Sequence, residues 1–204
     1  MKAHLIKLLT QPDDAWVAIR SEEEQHPRQY LPHLLLWTLL PSLCLFIGAT
    51  WTGWSLADSE RVRLSPASAL QLSVLLYLAT LFGTWLMGVF VRWMSRSFEA
   101  RPTLNQCIGF AAYTATPYFL AGLVALYPNR WLAAITLLLA SAYASYLLFV
   151  GLPKFMRLNQ DRGLPYAASV WGVGLLVLVT VLVGMILLWF NLLSPEYLRP
   201  QALP

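Results

Sequence analysis

The 204-residue sequence is 58% hydrophobic, only 12% of its residues are charged, and its formal net charge is +4. Ordinary soluble domains have about 25% charged residues. The charge content is therefore too low for a water-exposed globular surface, and the composition predicts a protein whose main solvent is lipid. The basic residues lie singly rather than as a stripe on a soluble face, which argues against nucleic-acid binding.

Residues 1–30 are predicted to form a cytoplasmic N-terminal segment with a short amphipathic helix at residues 12–25. Pro12 and the two acids after it are favourable at a helix start, and Trp16 and Ile19 then share one face. The segment lacks the basic start, apolar core and cleavage site of a signal peptide. We expect the helix to lie in the membrane interface.

The acidic run SEEEQ at the end of this helix has two interpretations. It could form a docking site for a basic partner. Alternatively, it could be a solvated face or pair internally with nearby cations, and we favour this second interpretation. Arg92, Arg96 and Lys154 are the candidate cations, since unscreened carboxylates are unfavourable beside an anionic leaflet. The candidate contact residues are Pro12, Trp16, Ile19, Glu22, Glu23 and Glu24.

Five segments of 18 or more nearly uncharged residues follow, and about 20 helical residues span a hydrocarbon core of ~30 Å. Backbone amides in hydrocarbon must be satisfied within their own segment, which predicts helices. The predicted spans are residues 33–52, 69–91, 105–127, 131–151 and 170–190. The predicted fold is thus an all-α integral membrane protein with one five-helix domain at 31–192 and a short periplasmic tail at 193–204. Cys44 and Cys107 fall within spans and predict no disulfide framework.

The basic residues are distributed unevenly between the two sides of the predicted membrane. Ten lie on the side of the N-terminus, and four lie on the other side, namely Arg61, Arg63, Arg130 and Arg199. The positive-inside rule then predicts a cytoplasmic N-terminus and, after five spans, a periplasmic C-terminus.

The connections differ in predicted length. The outer loop at 53–68 is predicted to be a simple connection, and residues 127–130 a tight turn that makes spans three and four a hairpin. The segment 152–168, which contains two prolines and a glycine, is predicted to be the longest cytoplasmic connection.

Small residues form a stripe along span four, with a shorter one in span two. Such residues let helix backbones approach closely in lipid, so we expect contacts inside the bundle, with a homo-oligomer face as the less favoured alternative. The stripes are Ala133, Ala140, Ala144 and Gly151, and Ala79 and Gly83.

The interiors of the predicted spans contain no Asp, Glu, Lys or Arg, which argues against a proton-coupled pump. His4, His26 and His33 lack clustered partners at metal-ligand spacing, and no serine has a nearby base. We therefore predict a protein that is not an enzyme and has no cofactor or metal.

The stretch FAAYTATPYFL at residues 110–120 places Pro117 inside the third predicted span. Proline removes a helix hydrogen bond, so we expect a kink whose freed backbone groups are satisfied by the hydroxyls of Thr114 or Thr116. The kink either shapes only the packing or opens a polar notch that receives a lipid or a partner helix. The candidate notch residues are Asn105, Gln106, Tyr113, Thr114, Thr116 and Pro117.

The sequence GFAAYTATPYFLAGLVALYP at residues 109–128 resembles the Tyr-x-x-x-Pro third span of the Yip family, the Ypt/Rab-interacting proteins. Further matches to the bacterial branch include Pro12 and Asp13, Ser21 and Glu22, Phe46 to Gly48, Arg101 and Pro102, Cys107, Gly151 and Pro153. The resemblance implies five spans, a cytoplasmic N-terminus and a bacterial inner-membrane location. Eukaryotic members are implicated in vesicle trafficking, GTPase binding and membrane shaping. This chain lacks their long N-terminal region and Asp-Leu-Tyr-Gly-Pro stretch, so Rab binding is not carried over.

Two functions follow as hypotheses. The first is a non-enzymatic membrane adaptor or organiser that contacts membrane lipids, and another membrane or cytoplasmic protein, through the N-terminal helix and cytoplasmic loops. The alternative is a transporter, channel or lipid-handling protein for a neutral solute or lipid that uses the notch around Pro117.

Overall fold

The computed structural model describes residues 7–8, 10–53, 62–127, 129–193 and 196–198. Several predicted features lie outside the described residues. They are most of the outer loop (54–61), Pro128 of the tight turn, most of the C-terminal tail (194–195 and 199–204), and residues 1–6 and 9, which include His4.

The described chain is almost entirely helical. Its helices are α1 Pro12–Gln25, α2 Tyr30–Ile47, α3 Pro66–Ser95, α4 Leu104–Thr114, α5 Thr116–Ala121, α6 Arg130–Met156 and α7 Gln160–Leu192, and its strands are β1 Arg63–Leu64 and β2 Tyr197–Leu198.

Within the described part of the chain, five helical segments are long and apolar enough to cross a membrane, which confirms the predicted all-α membrane fold. They are span one Tyr30–Thr52, span two Pro66–Phe98, span three Leu104–Leu126, span four Arg130–Met156 and span five Gln160–Leu192. Span one ends in a π-helical turn at Gly48–Thr52, and span two ends in a 3-10 turn at Arg96–Phe98. Span three is composite: α4 is followed by α5 and then by a 3-10 helix at Gly122–Leu126.

Polar caps set where several spans begin. The Ser65 hydroxyl accepts a hydrogen bond from the backbone N–H of Ser68, and the Asn129 side chain accepts from the first backbone N–H groups of span four. Thr103 and Gln106 form a reciprocal capping box at the start of span three. These side chains satisfy N–H groups that a helix start leaves without partners.

The helix α1 lies across one end of the bundle and packs against spans three and four. We call this the α1 end; it also carries the connections at 99–103 and 157–159. Span two packs against spans one, three and five, and span four packs against spans three and five. The predicted amphipathic helix is therefore present, and its apolar face is covered by the bundle.

The prediction of a long connection at 152–168 is wrong. Span four continues to Met156 and span five begins at Gln160. Arg157 ends span four in the left-handed conformation (φ 55°), and the N–H of Leu158 donates to the carbonyl of Pro153 at 2.9 Å. Gly163 packs so closely on Pro153 that an added Cβ would lie 2.7 Å from the proline ring. This close approach lets two long helices meet at a short turn.

A small antiparallel ribbon lies at the opposite end of the bundle. Arg63 pairs with Leu198, and Leu64 pairs with Tyr197, which joins the segment before span two to the segment after span five. The ribbon could not be predicted from the sequence because two-residue strands are too short to show an alternating pattern.

The largest buried side chains are concentrated at the α1 end. Trp16, Phe110, Phe155 and Tyr166 are each at most 1% exposed. The Tyr166 hydroxyl donates to the carbonyl of Val91, which ties span five to span two. Large apolar side chains on the outer faces of the spans are exposed, as a lipid-facing surface requires.

Candidate functional site

Trp16, a candidate contact residue, is fully buried rather than on the surface. Its ring lies 4.8 Å from the ring centroid of Phe110 and 5.9 Å from that of Phe155. The indole also packs against Gly151, where an added Cβ would lie 2.3 Å from the ring. Gly151 of the small-residue stripe therefore receives the tryptophan of α1. Pro12 and Ile19 are buried as well, which corrects the assignment of all three side chains to a contact surface.

Glu23, also assigned to that surface, is only 3% exposed. Its Oε1 accepts a hydrogen bond from the backbone N–H of Tyr30 at 2.7 Å, and so caps the start of span one. Burial raises the pKa of this carboxyl, although hydrogen bonds from the backbone of Tyr30 and Arg28 oppose the shift. Its second oxygen, Oε2, has no hydrogen-bond partner among the described residues.

Two other acids of α1, Glu24 and Asp13, form ion pairs. Glu24 accepts from Arg20 at 3.0 Å and from Arg157 at 2.8 Å. Slight desolvation opposes ionisation of Glu24, but the hydrogen bonds and charges of Arg20 and Arg157 prevail and lower its pKa. Asp13 pairs with Lys154.

The arrangement matches the internal-pairing interpretation of the acidic run, with different partners from those proposed. Arg157 and Arg20, rather than Arg92 or Arg96, pair with Glu24. Lys154 pairs with Asp13 instead of a glutamate, and Glu22 is partly exposed. At the adjoining connection, Arg162 pairs with Glu99.

Span three breaks at Ala115 instead of bending smoothly around Pro117. α4 ends at Thr114, and Pro117 lies in the first turn of α5, where a helix needs no N–H from it. The Ala115 N–H still donates to the carbonyl of Ala111 at 2.9 Å, and the Ala115 carbonyl accepts from Tyr118 at 2.9 Å. The backbone therefore passes the break with its hydrogen bonds largely kept.

We expected the hydroxyl of Thr114 or Thr116 to satisfy backbone groups freed by the proline. Among the described residues, neither hydroxyl does so. The Thr116 hydroxyl lies 3.0 Å from His33 Nε2 in span one. The Thr114 hydroxyl is buried without a hydrogen-bond partner among the described residues, and Thr114 lines a cavity between spans two to five.

The candidate notch residues do not form one notch, although Tyr113 and Thr116 both contact His33. Tyr113 is buried with its ring 4.4 Å from that of His33, on the side of span three that packs against span one. Gln106 is buried and is used by the capping box, next to the partly exposed Asn105. Pro117 is buried, and of the candidate set only Thr114 lines the cavity.

His33 is a residue that the sequence analysis dismissed. It is 1% exposed, and its contacts with Tyr113 and Thr116 join spans one and three inside the bundle. The available signal was a histidine at the start of an apolar run, where an ionisable side chain needs a buried partner. Cys44 and Cys107 are buried free thiols. Among the described residues, no group of three His, Cys, Asp or Glu side chains is arranged to hold a metal ion.

Comparison with known proteins identifies the family. Residues 6–192 match the family description "Yip1 domain". The chain is 40% identical over 187 residues to "Inner membrane protein YohC" of Escherichia coli strain K12, covering 92% of this chain and 96% of the relative. The protein of the same name from Escherichia coli O6:H1 has the same identity and coverage. No solved structure matches the chain. The chain therefore belongs to the Yip1 domain family and is a five-span protein of the bacterial inner membrane.

Proposed function

We propose that this protein is a non-enzymatic organiser of the inner membrane that binds anionic lipid head groups at its α1 end. The observation that carries the proposal is an asymmetry of charge. Acidic side chains at this end are mostly buried or paired, whereas Arg92, Arg96 and Arg101 are exposed and form no ion pair with the described residues.

The asymmetry follows from the fold. Glu23 is buried at the start of span one, and ion pairs occupy Asp13, Glu24 and Glu99. The surface left to attract anions is therefore more positive than the sequence of α1 suggests. Asp14 and Asp161 remain as exposed acids.

The three arginines lie where a leaflet would meet the bundle. Arg92 is in the last turn of α3, Arg96 follows it, and Arg101 precedes span three. Trp93, which is 66% exposed, lies beside them and is a residue type that anchors at membrane interfaces. Basic residues near an anionic leaflet contribute about 1 kcal/mol each. In this proposal the α1 end faces the cytoplasm, as the uneven distribution of basic residues predicts.

A protein partner would have to use a different surface from the one that the sequence suggested. The buried face of α1 is occupied by the bundle, which leaves the outer face with Asp14, Val17 and Ser21 for such a contact. Val17 is 60% exposed. The polar side chains of the core, such as His33 and Glu23, hold helices together, which supports a non-enzymatic role.

The experiment measures how strongly the purified full chain recruits spin-labelled phosphatidylglycerol in vesicles of phosphatidylcholine. The parent should bind the anionic label in preference to labelled phosphatidylcholine, and added salt should weaken this preference. Replacing Arg92, Arg96 and Arg101 together with Gln should reduce the preference by about a hundredfold, since three arginines at about 1 kcal/mol each contribute about 3 kcal/mol.

The matched control is the double variant Arg63→Gln and Arg130→Gln, which removes exposed arginines from the opposite end of the bundle. This control should keep the preference of the parent. Equal recruitment of both labels by the parent, or an unchanged preference in the triple variant, would refute the proposal.

A further inference from the structure

A cavity of about 450 Å³ lies between spans two, three, four and five. Its volume is within the range of about 300–1,000 Å³ that small-molecule sites occupy. The cavity is part of the membrane-spanning bundle, and its lining in span two ends at Val91, next to Arg92 of the α1 end.

The cavity is long and narrow. Its walls run from Leu76 to Val91 in span two and from Val170 to Met185 in span five. Each stretch covers 15 residue steps, which at 1.5 Å per residue is about 22 Å along the helix axis. A cavity parallel to helices that cross the membrane has the direction of the lipid chains around it.

Small side chains create the space. Gly83 of span two and Ala144 of span four line the cavity, as does Gly174 of span five. A Cβ added at Gly83 would lie 3.3 Å from Val181, and one added at Gly174 would lie 3.3 Å from Met87. The small-residue stripes thus both bring helices together and leave a gap between them.

The lining presents almost no free polar group. Thr80 and Thr84 donate to backbone carbonyls of their own helix, and Ser145 does the same while it accepts from Trp171 Nε1 at 2.8 Å. Among the buried hydroxyls of the lining, only that of Thr114 lacks a partner within the described residues, and the one tyrosine of the lining, Tyr118, is partly exposed. A polar ligand would lose its hydrogen bonds to water here without replacement, so the cavity suits an apolar one.

The cavity is continuous with the lipid-facing surface. Leu137, Leu175 and Leu182 line it and are each 38–43% exposed on the outside of the bundle. We propose that this cavity binds one acyl chain of a membrane phospholipid, which enters sideways and lies between spans two to five. The inference does not depend on the arginine surface, because it concerns the chain of the lipid and not its head group.

The experiment places the full-length protein in vesicles containing a phospholipid with a diazirine on its acyl chain, and maps the photo-crosslinks by mass spectrometry. Residues inside the cavity, such as Ala115, Ser145 and Gly174, should be labelled more strongly than Gly172 and Gly184, around which no other atoms lie within 4 Å of an added Cβ. Labelling inside the cavity at or below the level of these two glycines would refute the site.

Filling the cavity provides the second measurement. Ala144→Leu, and separately Ala79→Leu, should reduce the cavity labels at least about fivefold. Gly172→Leu and Gly184→Leu should leave them unchanged. If Ala144→Leu or Ala79→Leu folds and keeps the cavity labels of the parent protein, the proposal is contradicted. The photo-crosslinks of the parent protein test the proposal even if neither variant folds.

Two lipid probes separate this site from the arginine surface. Phosphatidylcholine and phosphatidylglycerol probes should label the cavity equally, and the triple arginine variant should not alter the labels. A cavity label that disappears with the arginines would show that head-group binding, rather than the cavity, positions the lipid.

Discussion

Glu23 combines a buried position with an ionisable carboxyl at the junction of α1 and span one. Because burial raises its pKa, the folded protein binds this proton more tightly than the unfolded chain. The resulting stabilisation is complete below the ordinary pKa of 4.5 and is lost as the pH rises through the higher folded value. Glu24 has a lowered pKa, so its stabilisation is present above the ordinary value and is lost as the pH falls through the lower folded value.

The first prediction concerns Glu23→Gln. The amide keeps an oxygen that accepts from Tyr30 and removes the cost of burying a charge. The melting temperature of the variant should therefore rise relative to that of the parent as the pH is raised from acid to neutral. Thermal unfolding in detergent across this pH range measures the difference. Glu24→Gln is the matched control and should lose stability at neutral pH, and a difference of the same sign for both variants would contradict the assignment.

Single residues also show which features could be predicted from the sequence and which could not. The spacing of Trp16, Ile19 and Glu23 places them on one face of α1, which the helical period reveals. The pattern does not say whether that face meets lipid, a partner or the bundle. His33 was missed because Thr116, its hydrogen-bond partner, lies 83 positions away in the chain. Such a contact depends on how helices pack, which no local pattern encodes.

At the scale of the element, a proline and a glycine of span three have different roles: the proline starts a helix, and the glycine permits close packing on span one. Pro117 starts α5 after the break at Ala115. Gly122 then packs against Pro41 of span one, and Gly48 of span one packs against Ala125. The sequence predicted an irregularity at Pro117, but the close packing of span three on span one depends on glycines that carried no such signal.

The second prediction compares Pro117→Ala with Gly122→Val. The alanine restores an N–H at a position where α5 does not need one, so it should change stability by about 1 kcal/mol or less. Valine at position 122 places a Cβ 2.2 Å from Pro41 Cβ, so spans one and three must separate. Overpacking of this kind costs about 1–3 kcal/mol or more.

Thermal unfolding of the two variants in the same detergent measures this contrast. Gly184→Val, on the lipid-facing surface, is the control for a larger side chain in a span. If Pro117→Ala were the more damaging change, the break would depend on the proline and not on the packing of span three against span one.

At the scale of the whole molecule, composition and hydropathy were sufficient for the five spans because lipid imposes length and apolarity on every membrane helix. They did not give the helix ends at the α1 end. Spans four and five continue beyond their apolar stretches, since the packing of Gly163 on Pro153 and the ion pairs of Lys154, Arg157 and Arg162 stabilise those turns. Tertiary contacts, and not local preference, decide such boundaries.

The two ends of the molecule differ in a way that bears on its orientation. The α1 end carries the exposed Arg92, Arg96 and Arg101, whereas the opposite end carries two exposed arginines, Arg63 and Arg130, and the short ribbon. The positive-inside rule predicts that the α1 end lies in the cytoplasm. The lipid-organiser proposal needs the same orientation, so this orientation can be tested separately from lipid binding.

The third prediction uses one cysteine at each end of the bundle. Ser97→Cys lies at the α1 end and Tyr127→Cys at the opposite end, and both positions are exposed. The native thiols of Cys44 and Cys107 are buried and should react little. A membrane-impermeant maleimide should label Tyr127→Cys in intact cells and Ser97→Cys only after the inner membrane is opened. Both variants should react after lysis, which controls for accessibility. Labelling of Ser97→Cys alone in intact cells would place the α1 end in the periplasm. The proposed arginine surface would then lack the orientation that it needs. The acyl-chain cavity would be unaffected, because it lies within the bilayer in either orientation.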